Sequence, residues 1–116
     1  MKDDRVYLLH IQDAIRQIEL YTCNGEQAFL SDRKTQDAVI RNFEIIGEAS
    51  RNISETTRAR FPTLRWTDII GMRNKLIHEY FGVNLQLVWT TIRRELPVMR
   101  TGIDGILLDI DSKRKT

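Results

Sequence analysis

The chain carries a short run of side chains suited to handling a phosphate ester. Residues 73–80 read Arg-Asn-Lys-Leu-Ile-His-Glu-Tyr, which places a permanent cation, an amide, an imidazole and a phenol close together. Arginine presents a planar set of N–H donors to phosphate oxygens, and histidine both accepts and donates protons near neutral pH. The run therefore predicts phosphodiester chemistry, with Arg73, Asn74, His78 and Tyr80 as the candidate residues.

The elements that position this run are predicted to be helices. The chain has 116 residues, of which 41% are hydrophobic, and only two prolines and six glycines, so one all-α domain is favoured over a sheet. Apolar residues recur at steps of three and four, as on one face of a helix. The predicted helices run from about Tyr7 to Tyr21, from Ser31 or Asp32 to Asn52, as a short turn from Ser54, from Trp66 or Thr67 to Phe81–Gly82, and from Asn84 through Pro97 as one long kinked helix.

Composition also limits the compartment and the kind of partner. No stretch approaches the roughly 20 apolar residues that cross a bilayer, and the charged start, Met1 to Arg5, does not resemble a signal peptide. We therefore expect a cytoplasmic protein with no membrane contact. The single Cys23 has no cysteine partner for a disulfide or a zinc site. A helical domain over residues 1–110 and a basic flexible tail over residues 111–116 complete the expected organisation.

Charge is concentrated near the candidate residues. The formal net charge is only +2, but the segment 51–75 holds six basic residues against two acidic ones.

On one continuous helix, Arg73 and His78 diverge by about 140°, whereas Asn74 and His78 share a face. A single helix would therefore aim the cation and the imidazole poorly at one phosphate. Two copies meeting across a two-fold axis would form a symmetric cleft, so a homodimer is predicted.

The run resembles the R-x4-H-x-Y signature of HEPN-domain proteins of the HepT-like toxin family. The resemblance extends to Glu44-Ile-Ile-Gly-Glu48, to residues 66–72, to Gly82-Val83-Asn84 and to Trp89, with asparagine at 84 where an aspartate is expected. It implies a HEPN-type up-and-down bundle of four or five helices that dimerises, with the paired motifs lining a shared basic cleft.

The activity that this resemblance implies is that of a metal-independent endoribonuclease toxin, with no cofactor. The 2′-hydroxyl of the RNA attacks the adjacent phosphorus, leaving a 2′,3′-cyclic phosphate and a 5′-hydroxyl. His78 acts as general base or acid, and Arg73 stabilises the charge that develops at phosphorus. Asn74 holds either the imidazole or a phosphate oxygen.

A partner is implied as well. In the family that this chain resembles, a minimal nucleotidyltransferase antitoxin, MntA-like, adds AMP to the tyrosine at the position of Tyr80. A bulky anionic nucleotide near Arg73 would fill the cleft and occupy its cation. The resemblance thus predicts a toxin–antitoxin pair in which modification of Tyr80 silences the nuclease.

Two other functions are compatible with the same residues. The chain could be a non-catalytic module that docks the nucleotidyltransferase and binds nucleotide or RNA. It could also be a metal-dependent enzyme that uses Glu44, Glu48 and His78, in which case a chelator would abolish activity. The two glutamates lie one helical turn apart, and they are otherwise expected to pair with Arg41 or Arg51, or to support the arginine of the motif.

Overall fold

The computed structural model describes residues 3–78 and 82–114, which form a helical bundle with one short pair of strands. The elements are α1 (Asp4–Tyr21), α2 (Glu26–Ser31), α3 (Arg33–Asn52), α4 (Glu55–Arg60), α5 (Trp66–Ile70), α6 (Met72–Leu76), β1 (Ile77–His78), β2 (Gly82–Val83), α7 (Leu85–Arg94) and α8 (Leu96–Arg114). The predicted all-α class is confirmed. None of the helices in this part of the chain combines the length and the apolar character needed to cross a bilayer.

The core forms where α1 packs against both α3 and α8. The shorter α5 and α6 lie on α3, and α7 contacts α6 and α8. Each fully buried aliphatic or aromatic side chain contributes about 1.5–3 kcal/mol through the hydrophobic effect. The largest of them are Leu8, Ile11, Ile15, Ile18, Phe29, Phe43, Ile46, Ile53, Leu76, Leu96, Ile103 and Ile106. Because Leu76 belongs to this core, the end of α6 is anchored close to the candidate residues.

Helices α3 and α4 begin at residues whose side chains cap them. Asp32 accepts a hydrogen bond from the Lys34 N–H at 3.1 Å and begins α3, as predicted. Ser54 accepts one from the Thr57 N–H at 3.2 Å and begins α4. Helix α2 was not predicted, since its six residues are too few to show a periodic pattern. It is held by Phe29, which is buried.

The predicted kinked helix is observed as α7 and α8, which meet at Glu95. Helical hydrogen bonds cross the junction, from the Glu95 N–H to the Thr91 carbonyl at 2.9 Å and from the Met99 N–H to the Glu95 carbonyl at 3.0 Å. Pro97 lies in the first turn of α8 and has no N–H to donate to the Arg93 carbonyl, so one bond of this ladder is missing. The chain therefore changes helix just before the proline.

Helix α8 continues to Arg114, into the segment 111–116 that was predicted to be a flexible tail. Its last turns are tied to the rest of the bundle by ion pairs. Arg5 Nε lies 2.7 Å from Asp111 Oδ1, and Arg60 Nη2 lies 2.9 Å from Asp109 Oδ2. Partners this distant in sequence cannot be inferred from a local basic composition. Residues 115 and 116 lie outside the described residues.

The third predicted helix is wrong in its second half. It divides at Gly71 into α5 and α6, and the helix ends at Leu76 rather than at Phe81–Gly82. Ile77 is extended, with φ −114° and ψ 116°, and β1 pairs antiparallel with β2, so that His78 lies opposite Gly82. A β-branched residue at 77 and a glycine with φ of +76° at 82 favour this pairing over a continued helix.

Asn84 joins the end of α6 to α7 through two hydrogen bonds. Its backbone N–H donates to the Leu76 carbonyl at 3.0 Å, and its side-chain oxygen accepts from the Leu87 N–H at 3.1 Å. Asn84→Ala removes only the second bond and is expected to lower the free energy of unfolding by about 1 kcal/mol, the usual effect of losing a helix cap. Asn84→Asp should retain wild-type stability in urea denaturation. Equal stability of the alanine variant would contradict the capping role.

Asp4 links the start of α1 to α4. Its carboxylate accepts hydrogen bonds from the Ser54 N–H at 2.9 Å, the Ser54 hydroxyl at 2.7 Å and the Thr57 hydroxyl at 2.6 Å. Partial burial acts to raise the pKa of Asp4, but the hydrogen bonds from Thr57 and Ser54 together lower it by more. The pKa therefore lies below its ordinary value.

A lowered pKa in the folded state makes stability depend on pH. The stabilisation from Asp4 is fully present above its unfolded pKa of about 4 and is lost as the pH falls through the lower folded value. Asp4→Asn is expected to lower the free energy of unfolding at pH 7 by about 1 kcal/mol and to flatten its decline in acid. Thermal unfolding between about pH 7 and 3 measures both the loss of stability at pH 7 and its dependence on pH. Asp13→Asn, at an exposed position on α1, is the control, and a profile for Asp4→Asn that matches it would refute the linkage.

Candidate functional site

Arg73 is the best-defined member of the candidate site. It is the second residue of α6, and its Nε donates to Glu44 Oε2 on α3 at 2.9 Å. The arginine side chain is 54% exposed and the glutamate side chain 33%. The cation is therefore held by one carboxylate and remains open to an anion from solvent.

A glycine sets the distance between the backbones beside this ion pair. A Cβ atom at Gly47 would lie 3.3 Å from the Ile70 carbonyl oxygen and 3.5 Å from that of Ile69. The first of these contacts is tighter than side chains normally make, so a larger residue would push α5 away from α3. Gly47 lies one helical turn from Glu44, which places the close approach next to the residue that binds Arg73.

Only two of the four predicted residues, Arg73 and Asn74, have side chains that the structure describes. Asn74 is exposed on α6 directly after Arg73. His78 lies on β1, beyond the end of the helix, and only its backbone is described. Tyr80 lies outside the described residues. The prediction that Asn74 and His78 share a helix face is wrong, because the helix that would relate them ends at Leu76.

The observed fold does not support the helix-geometry argument for a homodimer. The divergence of about 140° between Arg73 and His78 assumed one continuous helix through both residues. With Arg73 on α6 and His78 on β1, that angle does not apply. A homodimer thus stays a prediction from the family resemblance.

Most of the basic residues between positions 51 and 75 have acidic partners in the fold. The closest pairs are Arg51 with Glu48 at 3.3 Å, Arg60 with Asp109 at 2.9 Å, Arg65 with Asp68 at 3.1 Å and Arg73 with Glu44 at 2.9 Å. Three of these carboxylates come from α3 and α8, so the basic excess along the sequence is smaller in space. Exposed ion pairs contribute only about 0–1 kcal/mol each, so these pairs add little to the stability of the fold.

Glu44 and Glu48 each bind an arginine. Of the partners that were expected, Arg51 binds Glu48 and the arginine of the motif, Arg73, binds Glu44. Among the side chains that the structure describes, no three or more histidines, cysteines or carboxylates are grouped as ligands for a metal ion. The side chain of His78 is not among those described.

An apolar cavity, which no pattern in the sequence predicted, lies between α5 and the junction of α7 with α8. Its apolar lining includes Leu64, Ile69, Met72 and Met99, and it is also lined by Arg65 and Arg94. Its apolar residues are spread over four segments of the chain, so no local pattern could have placed them together. Its charged lining is balanced, because Arg65 and Arg94 are accompanied by Asp68 and Glu95, so a ligand would bind there mainly through apolar contacts.

Comparison with known proteins places the chain among ribonuclease relatives. Residues 11–106 match the family model described as "Ribonuclease HepT-like". The chain is 44% identical over 97 residues to "Probable ribonuclease HepT" of Thermococcus cleftensis, a match covering 81% of this chain and 86% of the relative. It is 41% identical over 108 residues to "Putative RNase TTE0752" of Caldanaerobacter subterraneus subsp. tengcongensis, covering 92% and 96%.

A longer relative shows the same similarity over part of its length. The chain is 38% identical over 114 residues to "Gamma-glutamylcyclotransferase and putative RNase MJ0434" of Methanocaldococcus jannaschii, which covers 97% of this chain and 51% of the relative. The chain thus spans about half the length of that protein. No solved structure matches the chain significantly. The family match includes α3, which carries Glu44, and α6, which carries Arg73. The chain belongs to the ribonuclease HepT-like family.

Proposed function

We propose that the chain is an endoribonuclease that cleaves RNA without a metal ion. One observation carries this proposal: the Arg73 guanidinium is exposed at the surface and is held by Glu44 through Nε alone. A fixed guanidinium is suited to binding a phosphate through two parallel hydrogen bonds. Support also comes from the relatives, whose names contain ribonuclease or RNase.

In the proposed reaction, the 2′-oxygen of the RNA attacks the adjacent phosphorus and the bond from phosphorus to the 5′-oxygen breaks. The products are a 2′,3′-cyclic phosphate and a 5′-hydroxyl. His78 takes the proton of the 2′-hydroxyl or donates one to the leaving 5′-oxygen, and Arg73 stabilises the non-bridging oxygens. Asn74 binds a phosphate oxygen or the imidazole. DNA lacks the 2′-hydroxyl and is not a substrate of this reaction.

We further propose that the active form is a homodimer with RNA bound at a cleft between the two chains. Arg73 and Asn74 are exposed in the single chain, so a second chain can approach them. Size-exclusion chromatography with light scattering tests this. A mass of two chains at working concentration is expected, and a strict monomer that still cleaves RNA would refute the shared cleft.

The biological setting proposed is a toxin–antitoxin pair of the type that the sequence resembles. The partner is a minimal nucleotidyltransferase, MntA-like, which transfers AMP to the Tyr80 hydroxyl. The positive charge of Arg73 would hold the added phosphate and keep the nucleotide in the cleft.

A second candidate function rests on the apolar cavity. The cavity is mostly apolar, with Met72 and Met99 in its lining, and can take up a flat apolar group such as a nucleobase. In this alternative the chain is a non-catalytic module that binds nucleotide or RNA and docks the nucleotidyltransferase. It predicts binding of RNA without cleavage.

Incubation of the purified, unmodified protein with total RNA in the presence of EDTA distinguishes these functions. The proposed nuclease cleaves RNA under these conditions. A metal-dependent enzyme that uses Glu44, Glu48 and His78 would lose activity with EDTA and regain it with added magnesium or manganese. A binding module would leave the RNA intact in both cases while still retarding it in a gel.

A further inference from the structure

We propose that Glu44 is a positioning residue that orients the Arg73 guanidinium toward the substrate phosphate. The inference rests on the proposed function and adds a residue from outside the motif to the site. The two side chains come from separate helices, α3 and α6, and meet at 2.9 Å, although they lie 29 positions apart in sequence.

The hydrogen bond to Glu44 is made at the Nε end of the Arg73 guanidinium. Nε of Arg73 donates to Glu44 Oε2, and within residues 3–78 and 82–114 no acceptor is bonded to Nη1 or Nη2 of Arg73. A guanidinium has five N–H donors, of which Nε contributes one. The outer end of the guanidinium, where Nη1 and Nη2 each direct one N–H away from Nε, can therefore bind two phosphate oxygens.

Both partners lie on helices whose backbones are held in place by packing. Gly47 lets the α5 carbonyls come within about 3.5 Å of where its Cβ would be, so the backbone spacing beside Glu44 is short. Met72, which precedes Arg73, is only 3% exposed and anchors the start of α6 in the core. Side chains held on rigid elements keep an ion pair in one geometry better than side chains on loops do.

An orienting role of Glu44 and a purely electrostatic one predict opposite effects of removing its side chain. The negative charge of Glu44 repels an RNA phosphate, so if charge alone mattered, its removal would tighten RNA binding and leave the rate unharmed. If Glu44 orients Arg73, its removal lets the guanidinium rotate away and slows the chemical step. Glu44→Gln separates the two, because glutamine keeps an acceptor oxygen for Arg73 Nε but carries no charge.

The test compares kcat and KM for cleavage of a synthetic oligoribonucleotide in EDTA. Glu44→Ala is expected to lower kcat by about 10- to 100-fold, the effect of misplacing a reacting group, with KM changed by less than about 3-fold. Glu44→Gln should remain within about 3-fold of wild type. The matched control is Glu19→Ala, since Glu19 is 35% exposed and binds Arg100 at 3.2 Å on another pair of helices. That variant should match wild type.

Two results would overturn the proposal: a wild-type kcat for Glu44→Ala, or a Glu44→Gln variant as slow as Glu44→Ala. Thermal unfolding confirms that each variant is folded. A second readout does not depend on activity, because NMR detects the Nε–Hε group of Arg73 directly. Its signal should shift and exchange faster with water in Glu44→Ala but stay near wild type in Glu44→Gln. If wild type leaves RNA intact while this NMR pattern is found, the nuclease function fails and the orienting contact stands.

Discussion

Arg73→Ala is expected to lower kcat for RNA cleavage by about 10²–10³-fold, the usual effect of removing one group that stabilises charge in the transition state. Arg73→Lys should restore little activity, because an ammonium group cannot bind Glu44 and two phosphate oxygens in the planar geometry of a guanidinium. Single-turnover cleavage of an oligoribonucleotide in EDTA measures both variants. Arg33→Ala is the control, since Arg33 is an 89% exposed arginine on α3 that lies 3.9 Å from Asp37.

His78→Ala removes the proposed proton-transfer group and is expected to lower kcat by about 10²–10⁴-fold. Single-turnover cleavage of the same oligoribonucleotide in EDTA measures the loss. An Arg73→Ala or His78→Ala enzyme that cleaves as fast as wild type would remove that residue from the mechanism.

Modification of Tyr80 is expected to abolish cleavage. Co-expression with a minimal nucleotidyltransferase of the MntA type should transfer AMP from ATP to the tyrosine hydroxyl with release of pyrophosphate. The bulk and negative charge of the adenylate beside Arg73 would block RNA, so activity should fall by at least about 100-fold. Intact-protein and peptide mass spectrometry locate the adenylate.

Tyr80→Phe is the matched variant for this prediction. It keeps the aromatic ring but lacks the acceptor oxygen, so it should cleave RNA and escape silencing by the nucleotidyltransferase. A fully silenced protein whose Tyr80 carries no adenylate would contradict the prediction. Silencing of Tyr80→Phe to the same extent as wild type would contradict it equally.

Much of the fold was predictable because it follows from local patterns. The cap residues Asp32, Ser54 and Asn84 each mark a helix start that the structure confirms. The end of α6 was not predictable in the same way. Residues 66–81 have a helical apolar pattern, but the Leu76 carbonyl accepts the Asn84 N–H instead of one from a continuing helix. Pairing of β1 with β2 is a tertiary preference that overrides the periodicity.

The candidate site likewise has a part that was predictable from the sequence and a part that was not. The sequence identified Arg73 from the residue types around it, and its partner could be suggested only in general terms. The contact with Glu44 depends on how α3 and α6 are packed, and Gly47 sets the spacing next to it. Asp109 and Glu44 bind arginines of the basic segment from other helices, so a count along the sequence overstated the local charge. Such contacts become visible only in three dimensions.

The chemical groups at the ends of the RNA fragments show directly whether the proposed reaction takes place. A short oligoribonucleotide is incubated with the unmodified protein in EDTA, and its fragments are analysed by mass spectrometry. Attack by the 2′-oxygen with His78 and Arg73 as catalysts predicts a 2′,3′-cyclic phosphate on one fragment and a 5′-hydroxyl on the other. Fragments ending in a 3′-hydroxyl and a 5′-phosphate, or an intact oligonucleotide, would contradict it.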